Sequence, residues 1–226
     1  MAVPHKAYEV IAMKTCVIFC AAGFDGLLMP TPEDALVIAA DGGLKQTEIL
    51  GLRPDIILGD FDSLGYIPAD SRVYPVEKDD TDAMLAVRVG LEQGCDTFLF
   101  YGAMDGPRLD HTIANFQTLG YLTTHGARGW LIGKDYIATV LSEESIEFSG
   151  DATGIFSAFC LGGGAEVSIE GLHYPLDHGQ LTPDFPLGVS NHFVGRPAKV
   201  TVHEGLVLAL WDRKNGLGVR ACCPTS

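Results

Sequence analysis

Hydrophobic residues in the first half of the chain fall in short unbroken runs: TCVIFCAA (15–22), ALVIAA (35–40), DIILG (55–59), RVYPV (72–76), TFLFYG (97–102) and GWLIG (129–133). Runs of this length without polar alternation predict strands buried on both faces, as in a parallel sheet covered by helices. Between them, GGLKQTEILG, TDAMLAVRVGLEQG and HTIANFQTLGYLTTHG carry helical patterns. Thr81 is the expected N-cap of the second helix, with Asp82 in its first turn and Gly94 as its stop; Asp110 is the expected cap of the third. Strand–helix alternation predicts a doubly wound α/β unit.

After about residue 140 the texture changes. GIFSAFCLG, AEVSIEG, VSNHFVG, AKVTVHEG and LVLALWD are short strand-like segments separated by Gly, Pro and Asp. Several alternate apolar and polar residues, as in Val200-Thr201-Val202-His203. That pattern predicts an antiparallel sandwich. The expected fold is therefore α/β plus all-β. An N-terminal doubly wound parallel sheet with helices on both faces precedes a C-terminal antiparallel β-sandwich. The boundary is expected near 134–150, dividing the chain into units 1–140 and 141–226.

Composition narrows the function. The 226 residues are 47% hydrophobic, enough for a sizeable core. The formal net charge is −14 and the 15 Lys and Arg form no stripe, which argues against nucleic acid as a partner. No apolar run reaches the ~18 residues of a membrane span, and the N-terminus lacks the apolar core of a signal peptide. The six Cys (16, 20, 95, 160, 222 and 223) lack metal-site spacing, and a reducing cytoplasm is the expected location. Cys222-Cys223 reads as a pair of tail thiols. Trp130 and Trp211 read first as packing residues, with stacking on a ligand ring as the alternative.

The chemistry gathers where the strands end. In an open α/β sheet, ligands bind beyond the carboxyl ends of the strands. There stand Asp41-Gly42-Gly43, Asp60-Phe61-Asp62-Ser63, Glu77-Lys78-Asp79-Asp80-Thr81-Asp82, and the stretch from Ala103 to His111. Four successive strand ends deliver carboxylates to one rim. Individually, Asp41 and Asp110 read equally well as caps, and one of Asp79 and Asp80 as a solvated loop charge. Asp60 and Asp62 differ, because two residues apart in extended chain they point the same way. Such carboxylates repel unless a cation or hydrogen bonds compensate. Hard oxygen ligands without a His/Cys cluster favour Mg²⁺, which commonly also binds phosphate oxygens. Lys78 and Arg108 supply positive charge for that phosphate. Neither a P-loop nor a dinucleotide-binding glycine fingerprint is present.

The pieces AADGGLKQ, RPDIILGDFDSL, EKDDTDAMLAV, GAMDGPRLDHTIANFQTL and GLHYPLDHGQL…GVSNHFVG together resemble the thiamine pyrophosphokinase family over about residues 15–211. The resemblance implies transfer of a pyrophosphoryl group from ATP to the hydroxyethyl oxygen of thiamine, giving thiamine diphosphate and AMP. It implies an ATP- and Mg²⁺-binding catalytic domain, a thiamine-binding and dimerisation domain, and a homodimer with active sites between subunits. Residue by residue, it implies Asp60, Asp62 and Asp82 as Mg²⁺ ligands. It places Asp41 and Gly42 near the metal and polyphosphate, and Lys78 and Asp79 in the catalytic set. Arg108 becomes a phosphate clamp, followed by Asp110, His111 and Asn115. Ser190 and Asn191 fall in the thiamine pocket. Asp79 and Asp82 are the candidate general bases. Pro107 stands where many members have glycine, and His192 where many have glutamate, so no role is carried to His192. Two other activities would use the same rim: a pyrophosphokinase for a pterin-like alcohol, and a Mg²⁺-dependent nucleotide phosphohydrolase.

Overall fold

A computed structural model describes residues 13–62, 64–77 and 79–222. Lys78 and Cys223 lie outside these described residues. The elements run β1 (Thr15–Phe19), β2 (Leu36–Ala40), α1 (Gly43–Ile49), β3 (Ile56–Gly59), β4 (Arg72–Val73), α2 (Asp82–Glu92), β5 (Thr97–Tyr101), α3 (Leu109–Thr124) and β6 (Arg128–Ile132). The second half is β7 (Tyr136–Leu141), β8 (Glu144–Phe148), β9 (Ile155–Glu170), β10 (Leu176–Leu181), β11 (Asn191–His192), β12 (Ala198–Asp212), a 3₁₀ turn (Arg213–Asn215) and β13 (Val219–Cys222).

Strands β6-β5-β1-β2-β3-β4 are neighbours in that order and parallel throughout. The chain moves outward from β1 to β4, then returns through β5 to β6. With right-handed crossovers, that reversal puts the connections on opposite faces. Packing agrees. Ala83, Leu85 and Val87 of α2, with Leu119 and Leu122 of α3, share a core with Cys16, Ile18, Ile38 and Leu58. Leu50 and Leu52, just after α1, pack with Leu28 and Met29 against Val17, Phe19 and Val37 on the other face. Alternate residues of β1, β2, β5 and β6 thus serve opposite cores, which is why those runs show no polar alternation, whereas both residues of β4 are exposed.

The expected helices are present, and two cap assignments are now settled. Thr81 caps α2, its Oγ1 accepting from the Met84 amide at 3.2 Å. Gly94 follows the helix at φ 77°, the left-handed stop that glycine supplies. For α3, however, the N-cap is Arg108, with no side-chain cap, and Asp110 lies within the first turn.

Antiparallel pairing begins between β6 and β7. Beyond it, the two halves are hydrogen-bonded into one sheet, because β12 pairs with β7 through Val207–Asp212 and with β8 through Ala198–Thr201. GIFSAFCLG and AEVSIEG, expected as two strands, form the single long β9; AKVTVHEG and LVLALWD form β12. Gly162 and Gly164 (φ 129° and 155°) and Gly205 (φ 83°) bend these strands without ending them. A Cβ at Gly205 would lie 2.3 Å from the Gly164 carbonyl, so the bend in β12 fits only as glycine. The resulting antiparallel region folds around Phe148, Phe156, Phe193 and Trp211. Trp211 and Trp130 are buried, and their indole N–H groups donate to the Gly216 and Leu217 carbonyls.

Candidate active site

The cleft opens where the strand order reverses, between the ends of β1 and β5. Phe19 and Tyr101 pair at the last position of the two strands. Beyond them the backbones stay close, with the Cys20 amide donating to the Tyr101 carbonyl at 2.8 Å and the Ala22 amide to the Gly102 carbonyl at 2.9 Å. A Cβ at Gly102 would stand 2.3 Å from the Ala22 carbonyl, and its φ is 69°. The cleft has a volume of about 360 Å³. Cys20 to Ala22 form its floor, Asp41 and Asp62 one wall, the N-terminus of α2 a second, and the stretch from Gly102 through Arg108 to Asn115 a third.

Asp41, Asp60 and Asp62 each bring a carboxylate oxygen within 4.8 Å of the other two. Asp41 ends β2 at φ 47°, its amide donating to the Leu58 carbonyl at 2.8 Å. Gly59 lets β3 lie against it, since a Cβ there would come 3.1 Å from the Asp41 backbone. Asp60 and Asp62 converge for a reason other than extended-chain spacing. Phe61 between them is left-handed, at φ 61°, with its ring buried. The chain turns at that residue, and the Asp62 amide donates to Asp60 Oδ1 at 3.2 Å. A turn, not a pleat, aims the pair.

Asp82 lines the same cleft from the first turn of α2. Three carboxylates close together, with hard oxygen donors only, suit Mg²⁺ better than a soft metal. Cys20 does not compete: burial first, and then the charges of Asp82 and Asp41, push its thiol up to about 12, so it stays neutral.

The remaining expected residues divide by position. Arg108 lines the cleft but hydrogen-bonds Asp110 at 3.0 and 2.6 Å. Both side chains are exposed. Asp110 raises the guanidinium pKa, and Asp62 adds to that from across the cleft. Conversely, Arg108 holds Asp110 down at about 2. His111 lines the cleft. Asn115 lines it too, but its buried amide donates to the Ala103 carbonyl at 2.7 Å, so it also shapes the loop. Gly42 is the N-cap of α1. Asp79 is exposed and outside the cleft lining. Asp80 is held by Arg88 at 2.9 Å.

Ser190 and Asn191 stand elsewhere. Ser190 is left-handed at φ 61°, and its amide donates to Ser157 Oγ at 3.1 Å. Asn191 is buried; its side chain accepts from the Tyr174 amide at 3.0 Å and donates to the Tyr174 carbonyl at 2.7 Å. Asn191 belongs to β11, beside β9, and the strands from there to β2 run β11-β9-β12-β7-β6-β5-β1-β2. Seven inter-strand spacings of about 4.8 Å make a path between them of up to roughly 34 Å along the sheet.

The sequence reading missed Cys20, Ala21 and Ala22, which carry no charge to draw notice. The available signal was the small-residue run CAAG directly after the first strand. It also missed Thr112 and the cleft-facing backbone of Gly102.

An open doubly wound sheet with clustered carboxylates, an arginine and a helix N-terminus at its switch point has the makeup of a nucleotide-dependent phosphoryl-group transferase. The comparisons with known proteins are more specific. Residues 31–130 match the family model described as thiamin pyrophosphokinase, catalytic domain, and residues 144–207 the one described as thiamin pyrophosphokinase, vitamin B1 binding domain. The chain belongs to the thiamin pyrophosphokinase family. A curated relative, the thiamine pyrophosphokinase of Bacillus subtilis (strain 168), is 26% identical over 191 residues, covering 80% of this chain and 88% of that protein. The crystal structure of thiamine pyrophosphokinase from Bacillus subtilis superposes with TM-score 0.73 at 25% identity, covering 87% of this chain and 98% of that one. Yeast thiamin pyrophosphokinase shares the fold at TM-score 0.67 and 13% identity, covering 88% of this chain and 86% of that one.

Proposed function

We propose that this chain is a thiamine pyrophosphokinase whose reaction takes place in the cleft at the ends of β1, β2, β3 and β5. A pyrophosphoryl group passes from ATP to the hydroxyethyl oxygen of thiamine, giving thiamine diphosphate and AMP. The observation that supports this placement most directly is the convergence of Asp41, Asp60 and Asp62 within 4.8 Å beside Arg108 and the start of α2.

In-line attack on the β-phosphorus asks little covalent chemistry of the protein; positioning and charge neutralisation dominate. Asp60, Asp62 and Asp41 would hold Mg²⁺, with Asp82 beside them. When bound, Mg²⁺ supplies positive charge to the phosphate oxygens. The α2 N-terminus adds backbone N–H groups suited to an anion. Arg108 leaves Asp110 and forks onto a phosphate. Lys78 is assigned a second phosphate contact. Asp82 faces the cleft and Asp79 does not, so Asp82 is the better placed of the two to take the hydroxyl proton. His111 and Gly42 contact substrate, and Asn115 does so while bracing the loop.

Ser190 and Asn191 are assigned to the thiamine pocket. The path of up to roughly 34 Å along the sheet within one chain supports supply of this pocket by the other subunit of a homodimer. Exposed Phe159, Phe185, Leu187 and Val189 on the β9–β11 side provide an apolar surface for such an interface. Residues 1–140 then act as the catalytic unit and 141–226 as the thiamine-binding and dimerisation unit. A cytoplasmic location suits ATP consumption, and it suits the free thiols of Cys16, Cys20, Cys95 and Cys160.

The test is AMP release with ATP and Mg²⁺ in three mixtures: with thiamine, with a hydroxymethylpterin, and with no acceptor. Release only with thiamine is expected. Release with the pterin alone, or phosphate release undiminished without acceptor, rejects the assignment.

A further inference from the structure

The loop between β5 and α3 carries Arg108 into the cleft and, beyond the bond at Gly102, is fastened at two further points. One is the bond from Asn115 to the Ala103 carbonyl. The other is Asp105, whose Oδ2 accepts from the Lys134 amide at 2.7 Å, in the turn joining β6 to β7. Asp105 is left-handed, at φ 62°, a conformation that Asp and Asn adopt more readily than other residues with a side chain. The opposing turn has room for this contact and little else. A Cβ at Gly133 would lie 2.5 Å from Asp105 Oδ2 and 2.8 Å from Met104 Cε. The turn is itself closed by the Gly133 amide donating to the Tyr136 carbonyl at 2.9 Å. Asp105 does not line the cleft. Between it and Arg108 stand only Gly106 and Pro107, and Pro107 fixes its own φ.

From this geometry we infer that Asp105 is a positioning residue for Arg108, pinning the strand-end loop to the β6–β7 turn so that the guanidinium meets the polyphosphate from one fixed direction. The kinetic consequence rests on the proposed pyrophosphoryl transfer; the clamp itself does not. Asp105→Ala removes the acceptor. Gly133→Ala pushes the same carboxylate away from the other side. Asp105→Asn keeps an acceptor oxygen and tolerates the left-handed backbone.

Two readouts separate the clamp from the function. Hydrogen exchange of the Lys134 amide in the unliganded protein is expected to quicken on the order of 10-fold in Asp105→Ala and Gly133→Ala, the effect of one lost hydrogen bond, and to return toward wild type in Asp105→Asn. Unchanged exchange overturns the clamp, whether or not thiamine is turned over. With thiamine as acceptor, kcat is expected to fall on the order of 10- to 10²-fold in both variants and to recover most of its value in Asp105→Asn. In an Arg108→Ala background, Asp105→Ala is expected to add little, because the two act as a unit. A full additional loss there, or an unchanged kcat in the Arg108-containing protein, overturns the positioning role. Failure of the wild type to use thiamine rejects the function instead, while the exchange result still judges the clamp.

Discussion

The amide of Asp62 donates to Asp60 Oδ1 across a left-handed Phe61 whose ring is buried, and this turn brings two carboxylates together on the cleft wall. The buried ring is the anchor of the turn. Phe61→Ala is expected to cost about 3–5 kcal/mol of stability, as for other large-to-small core changes. It is also expected to raise the Mg²⁺ concentration needed for half-maximal turnover, because Asp60 and Asp62 lose their fixed relation. Urea unfolding and a Mg²⁺ titration of turnover measure the two effects.

Asp110 carries a pH prediction. Its carboxylate is depressed to about 2 chiefly by the hydrogen bonds from Arg108. A depressed acid contributes above its unfolded pKa and loses that contribution as pH falls through the folded value, so the window here runs from about 3.8 down to about 2. The pair therefore stays intact at neutral pH. A carboxyl ¹³C NMR titration should place the Asp110 midpoint near 2, and Arg108→Ala should move it up toward 3.8.

Arg220 is where the C-terminal strand is locked on. Its guanidinium is buried against Glu144, donates to Thr139 Oγ1 at 2.9 Å and to the Val140 carbonyl at 3.1 Å, and lies over the Trp130 ring. Arg220→Ala leaves the Glu144 carboxylate buried without this partner and is expected to cost about 3–5 kcal/mol. Lys199→Ala breaks an exposed pair with Glu147 at 3.0 Å and should cost at most about 1 kcal/mol. Thermal unfolding of the two variants side by side checks the contrast.

A shared active site predicts complementation. Asp60→Ala and Asn191→Ala should each be nearly inactive alone. Mixed under conditions that exchange subunits, they should recover up to about a quarter of wild-type activity. Half the dimers are then mixed, and each mixed dimer has one intact site. No recovery despite demonstrated exchange would place both residues in sites made by a single chain.

Much of this arrangement was legible in the residues. Continuous apolar runs such as DIILG and TFLFYG announced strands covered on both faces, and the Asp, Gly and Arg after them marked the ligand rim. What stayed hidden depends on contacts made far away in sequence. A left-handed Phe61 is disfavoured locally and persists because its ring is buried in the fold. Gly162, Gly164 and Gly205 look like turn residues, yet serve as paired bends inside β9 and β12. YIATVL, which forms β7, lies in the expected boundary stretch 134–150. Asp41 looked like a cap, and only the pairing of β2 with β3 showed that it faces Asp60 and Asp62.

The most direct measurement is kcat for Mg²⁺-dependent formation of AMP and thiamine diphosphate by Asp60→Ala and Asp62→Ala proteins whose folding matches wild type. The acidic turn as the metal and polyphosphate site predicts a loss on the order of 10²–10³ in each, comparable to removing a main electrostatic stabiliser. Normal Mg²⁺-dependent turnover in either variant would contradict it.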